Sequence, residues 1–194
     1  MKKYIVIACM LFASFSFVHG ASVYLGVGYG TGSGTQSGFT TADLDGSRTD
    51  LADSDFDATL MDFKLGLIFD SNNRLELSST TIETEANGAT VDIEGLDLDY
   101  IWTIGTKGSM VLPFVTAGFG LQELQLGVDG KNTGFTLNVG AGVYFLVTDA
   151  VEVELSYRNK MIDYSATHLS SAHAFETDLD HSIGLSYLGV KFKF

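Results

Sequence analysis

The sequence is poor in the residues that usually punctuate or cross-link a secreted fold. It has 194 residues with one cysteine, one proline and one tryptophan. The cysteine is Cys9, in a stretch removed with the leader described below, so the rest of the chain forms no disulfide. Basic residues are also scarce, 11 Lys and Arg against 24 Asp and Glu, for a formal net charge of −13. A chain this acidic is a poor partner for nucleic acid. Long apolar runs are missing as well. Past residue 20 no uninterrupted stretch approaches the ~20 residues that a membrane-crossing helix needs. Yet 45% of the residues are hydrophobic, and the mean hydropathy is +0.20. The apolar residues are dispersed by alternation.

The first twenty residues stand apart. Lys2 and Lys3 precede an apolar run from Tyr4 to Val18, and the small residues Gly20 and Ala21 follow. That order predicts a cleavable secretory leader over residues 1–20, cut after Gly20. A lipoprotein cleavage box at Cys9 would leave too few residues before it for a charged region and an apolar core. Loss of the two lysines takes the mature charge to −15. Residues 21–194 have a length that suits one domain.

Within them a two-residue apolar period recurs in eight runs of about ten residues, the length of a membrane-crossing β-strand. They are "SVYLGVGYG", "TLMDFKLGLIF", "RLELSSTTI", "GLDLDYIWTI", "MVLPFVTAGFGL", "GFTLNVGAGVYFL", "VEVELSYR" and "IGLSYLGVKFKF". In the second, Met61, Phe63, Leu65, Leu67 and Phe69 share one face; in the fourth, Leu96, Leu98, Tyr100, Trp102 and Ile104 do. The eighth changes phase, with Ile183, Leu185 and Tyr187 opposite Leu188, Val190 and Phe192, which predicts a bulge near Tyr187.

Connections alternate in length. "DSNN", "GTKGS" and "TDA" follow the even runs and have tight-turn compositions. Roughly 27, 8, 11 and 20 residues follow the odd ones. Short turns on one side and long loops on the other predict an all-β, eight-stranded antiparallel up-and-down transmembrane β-barrel, both termini on the periplasmic side. Closure pairs the last run with the first, which explains an apolar period carried to the final residue. With odd runs pointing outward, Phe69, Trp102, Phe145 and Phe194 fall at the periplasmic edge of the lipid face, and Tyr29, Phe119, Phe135 and Tyr157 at the outer edge, as two aromatic girdles. Pro113 sits near the start of the fifth run, where a missing N–H costs least.

The leader, "LPFVTAGFG", "GFTLNVGAGVYFLVTDAVEVELSYR" and the terminal phenylalanine resemble the small eight-stranded outer-membrane barrels of Gram-negative bacteria: OmpA-like, OmpX-like and opacity-type "porin family" proteins. The resemblance implies the cell outer membrane as location. It also implies outer-membrane lipid and lipopolysaccharide as surroundings, and a terminal aromatic, Phe194 with Phe192, read by the barrel assembly machinery. A charge network closing the lumen is known in the OmpA-like family.

Followed inward, the alternation places Asp62, Glu76, Asp97, Asp99, Glu152 and Glu154 in the lumen with Lys64, Arg74, Arg158, Lys191 and Lys193. An eight-stranded barrel is only wide enough for side chains to fill, and buried charges persist when paired. The lumen is thus expected to be closed by ion pairs. Other clusters carry less. His168, His173 and His181 gather near the last connection, and "HLS" with Glu176 faintly resembles the arrangement in outer-membrane lipid A deacylases, but a polar loop lacks the rigid support that such chemistry needs. The first connection holds Asp43, Asp45, Asp50, Asp53, Asp55 and Asp57. "DSDFD" begins like a calcium loop, but Ala58 and Lys64 stand where glycine and glutamate are required. The expected reading is a solvated acidic loop, with weak, exchangeable divalent cations near lipopolysaccharide phosphates as the alternative. "GVGYGTGSG" is no nucleotide site, since no helix follows.

The expected function is a monomeric, non-enzymatic barrel without cofactor, serving outer-membrane integrity or surface interaction. The alternatives are a narrow porin or an OmpW-like conduit for small apolar molecules, and a secreted lipocalin-like binder with an apolar lumen and a polar exterior.

Overall fold

The computed structural model describes residues 21–42, 48–70, 72–86, 89–106, 109–126, 130–169 and 174–194. The expected leader lies outside the described residues, as do Asp43 and Asp45. Nine strands follow in chain order: β1 (Ser22–Ala42), β2 (Arg48–Asp50), β3 (Ser54–Ile68), β4 (Asn73–Ala86), β5 (Ala89–Thr103), β6 (Val111–Leu126), β7 (Gly130–Thr148), β8 (Val151–Leu169) and β9 (Ala174–Lys193). All pairings are antiparallel. β1 and β3–β9 are the eight staves of a closed barrel, and β2 is a short flap paired to β1 at Phe39–Thr41.

Closure joins β9 to β1 without a break from Tyr24↔Lys193 to Ala42↔Phe175. The Phe194 amide donates to the Val23 carbonyl at 2.8 Å. β9 is thereby paired on both sides and has no free edge.

The staves are longer than the apolar runs that announce them, 14 to 21 residues. Most of the stretches read as long loops, 31–57 and 160–180, are paired strand. All of "DSDFD" after Asp53 is strand too: Phe56 points inward while Asp55 and Asp57 point out. A 20-residue stave such as β9, at about 3.3 Å per residue and a tilt of roughly 40°, rises about 50 Å, twice the ~25 Å apolar band of such barrels.

The excess forms an upper lobe whose polarity is reversed. Outside, Leu25, Val27 and Tyr29 give way to Thr31, Ser33 and Thr35 along β1, and Leu98 and Leu96 to Glu94 and Asp92 along β5. Inside, Phe56, Leu60, Ile82, Ile93, Leu124, Ile162, Tyr164, Ile183, Leu185 and Tyr187 pack as one cluster. The bulge expected near Tyr187 is therefore absent. β9 stays in phase, with Ile183, Leu185, Tyr187 and Lys191 all buried inside, and both its neighbours pair with it residue for residue. What changes along β9 is which side of the sheet is dry. In the membrane the outer face meets lipid; above it the inner face becomes the core.

The opposite end is closed by tight turns. After β3, the Asp70 carboxylate accepts the Asn73 side-chain N–H at 2.7 Å and the Asn72 and Asn73 amides at 2.7 and 2.8 Å. These bonds, the Asn73 side chain foremost, hold Asp70 below the usual carboxylate pKa.

Candidate functional site: the barrel lumen

Glycine on one wall makes room for a large side chain from another. A Cβ on Gly28 would lie 1.4 Å from the Tyr187 hydroxyl, and one on Gly66 2.0 Å from the Tyr24 ring. The two tyrosines reach into the centre and donate to carboxylates, Tyr187 to Asp62 at 2.6 Å and Tyr24 to Glu76 at 2.7 Å.

Around them the expected lumen charges converge. Lys64 Nζ stands 3.1 Å from Glu76, 3.3 Å from Glu154 and 3.6 Å from Asp62. Lys191 contacts Glu76 at 2.5 Å and Glu154 at 3.2 Å, and donates to the Tyr144 hydroxyl at 3.0 Å. Arg158 reaches Glu154 at 2.7 Å, Glu76 at 3.5 Å and Asp99 at 3.7 Å. A second group lies nearer the short turns, where Arg74 grips Glu152 with both prongs and Lys193, partly exposed, adds a contact at 3.1 Å. A third lies nearer the upper lobe around Asp97, which accepts Lys160 at 2.7 Å, Asn138 at 2.9 Å and Gln122 at 3.0 Å. Every charged residue that the alternation aimed inward is thus in an ion pair.

Sequence reasoning missed the sixth base. Lys160 is in phase with Glu152, Glu154 and Arg158, but it fell in a stretch read as loop. It also missed the tyrosines as partners. Lys64 and Arg158 lie 4.3 and 4.6 Å from the Tyr187 ring centre, and Lys191 and Arg74 4.6 and 4.5 Å from that of Tyr144. These distances are within cation–π range.

Apolar layers close the charged zone at both ends: the upper cluster, and below it Ile101, Leu112, Phe114 and Tyr144. Phe114 stacks on Tyr144 at 4.3 Å. Between them a cavity of about 10 Å³ is lined mostly by polar side chains, including Asp62, Thr80, Asp97, Asp99, Asn138 and Arg158. That is room for about one water molecule.

On the outer face Tyr29, Phe69, Trp102, Phe119, Phe135, Phe145, Tyr157 and Phe194 are all exposed, as is Phe192. His181 is not in a loop. It is buried in the upper lobe, its Nε2 3.1 Å from Gln36 Oε1, with Phe56 and Tyr164 edge-on to its ring. The side chains of His168, Ser170, His173 and Glu176 lie outside the described residues. No group of three or more His, Cys, Asp or Glu could hold a metal ion among the described residues.

Comparison with known proteins agrees with this architecture. No curated protein matches. Among solved structures, Neisserial surface protein A has 19% identity and a TM-score of 0.56, covering 91% of this chain and 100% of its own. OprG from Pseudomonas aeruginosa has 18% identity and a TM-score of 0.53, covering 91% and 97%. The outer membrane protein AlkL has 12% identity and a TM-score of 0.59, covering 89% and 90%. At these identities the likeness is one of fold. The model of the outer membrane protein beta-barrel domain matches residues 4–194, so the chain belongs to that family and resides in the outer membrane of a Gram-negative bacterium.

Proposed function

We propose that this chain is a closed, non-enzymatic barrel whose work is done by its walls and outer surface: integrity of the outer membrane, or contact with partners through its acidic upper lobe. One observation carries this reading. The cavity between the two apolar layers has room for about one water, and the six lumen carboxylates are matched by six lumen bases. A path for ions would require several of these pairs to part together, and each parted buried charge is costly.

The transport reading has one feature in its favour. The upper lobe is apolar inside, as a conduit for small apolar molecules would be, but it is filled by its own side chains. Conductance recording in planar bilayers separates the two, beside electrophoresis with and without boiling to show that the barrel is folded. Negligible steady current from heat-modifiable protein is expected. Sustained, ion-selective current would favour the porin instead. The Phe194 end serves recognition by the assembly machinery, and the exposed aromatic rings meet the surrounding lipid and lipopolysaccharide.

A further inference from the structure

His181 lies at the seam where the barrel closes, on β9 between Gln36 of β1 and Ile162 of β8 in register. The β1 side of that seam is thin. From Gly26 to Gly38 its inward positions are all glycine except Gln36, so the Gln36 side chain is what β1 offers the ring. His181 Nε2 meets Gln36 Oε1 at 3.1 Å, and Nδ1 is buried without a hydrogen-bond partner.

The groups around the ring give a proton on it nothing to pair with. On β9 its inward neighbours are Leu179 and Ile183; β8 supplies Ile162, and β3 supplies Phe56. Tyr164 of β8 stands edge-on to the ring, with its own hydroxyl buried and unpartnered. Lys160, two residues nearer the lumen on β8, is a cation already bound to Asp97 at 2.7 Å. Asp55, Asp163, Asp178 and Asp180 are in phase with the outer, wet face of the sheet. Protonation would therefore place a second N–H and a full charge in an apolar cluster, with no acceptor and no counter-ion among the described residues. Burial accordingly pushes the His181 pKa down to about 4.

We propose that His181 is a proton-sensitive latch: neutral, it completes the dry packing of the upper lobe, and protonated, it parts β1 from β9 at that height while the charged lumen below stays shut. A solvated histidine takes up its proton near pH 6.5, so the latch is at full strength above that value. It weakens as pH falls from about 6.5 towards about 4 and loses nothing more below the folded value. Between pH 7.5 and 5 the ratio of closed to open lobe should drop about thirtyfold.

The test is amide hydrogen exchange on the full-length folded protein in phosphatidylcholine nanodiscs at pH 7.5, 6 and 5, corrected for intrinsic rates. The range stops above the ordinary carboxylate pKa values. Protection at residues 33–38 and 179–184 is expected to fall about thirtyfold, and protection at residues 62–66 and 152–156 to stay constant. H181Q keeps a polar side chain but takes up no proton, and should flatten the profile; H181F serves if H181Q gives no boiling shift. In the unsubstituted protein the His181 ring proton, followed by NMR, should titrate well below pH 6. Protection that ignores pH would overturn the proposal, as would a His181 ring that titrates near pH 6.5. So would an unchanged profile in the folded variant, which would assign the effect to His168, His173 or the outer carboxylates.

Discussion

Arg74 and Glu152 meet across the full width of the barrel. They stand on β4 and β8, with three staves between them on either side, and form a two-pronged pair with N–O distances of 2.6 and 3.2 Å. A contact of this kind ties opposite walls together, which neighbouring-strand hydrogen bonds cannot do. It also makes each partner dependent on the other, because a buried charge left alone is heavily penalised.

Glu152→Ala leaves both Arg74 and Lys193 without that carboxylate, and is expected to destabilise the barrel by about 3–5 kcal/mol in urea titrations from lipid vesicles. Arg158→Ala, which removes the ion-pair partner of Asp99 and one of the three bases around Glu154, should cost about 3 kcal/mol. The double replacement Arg74→Met/Glu152→Leu should cost less than Glu152→Ala alone. If the two sites merely added, the cross-lumen tie would carry no coupling energy.

Gly28→Ala should lower folded yield sharply. Its methyl group would fall 1.4 Å from the Tyr187 hydroxyl, which is anchored to Asp62 and lies in a ring flanked by Lys64 and Arg158. Gly30→Ala, with its nearest neighbour at 3.2 Å, should be milder. Adding Tyr187→Leu to Gly28→Ala should restore yield, as heat-modifiable protein on gels would show.

The reversed upper lobe is checked by labelling. No cysteine follows Cys9, so single cysteines report cleanly. A membrane-impermeant maleimide should react on intact cells with Ser33→Cys, whose side chain faces water, and not with Val27→Cys. Leu60→Ala, in the dry interior of the lobe, should cost about 2–5 kcal/mol. Equal labelling at both positions would contradict the boundary between Tyr29 and Thr31.

Removal of Phe194 should leave export intact and reduce assembly in the outer membrane. The deletion takes away an exposed terminal ring and the hydrogen bond from its amide to the Val23 carbonyl but leaves the expected leader untouched. Fractionation of cells and the boiling shift provide the measurement, and a normal folded yield would refute the assignment.

The turn after β3 should respond to acid. The Asp70 carboxylate is held below its usual pKa by the Asn73 side chain and by the Asn72 and Asn73 amides, so its contribution is complete above the unfolded value, about 3.9, and is lost as pH falls through the lowered folded value. Protection of the Asn72 and Asn73 amides from hydrogen exchange should fall in that window and nowhere above it. Asp70→Asn should flatten the profile.

Much of this barrel was legible in the sequence because a strand's side-chain period is two. Met61 to Phe69 on one face and Asp62 and Lys64 on the other state which side meets lipid, and the same phase carries eleven charges into the lumen. Turn chemistry marked the short end, since Asp70 and the asparagines after it can satisfy their own backbone. The upper lobe was hidden for a physical reason. Alternation reports that two faces differ but not which of them is wet, and above the membrane the answer reverses. Ile183, Leu185 and Tyr187 therefore looked like a break in phase when the backbone had none, and Lys160 and His181 looked like loop residues. Only the tertiary structure could decide those cases. Whether an apolar residue belongs inside or outside depends on its height along the barrel, and height is set by register with neighbouring strands. Likewise the pairing of Arg74 with Glu152, 78 positions away, is created by closure of the sheet and has no local trace.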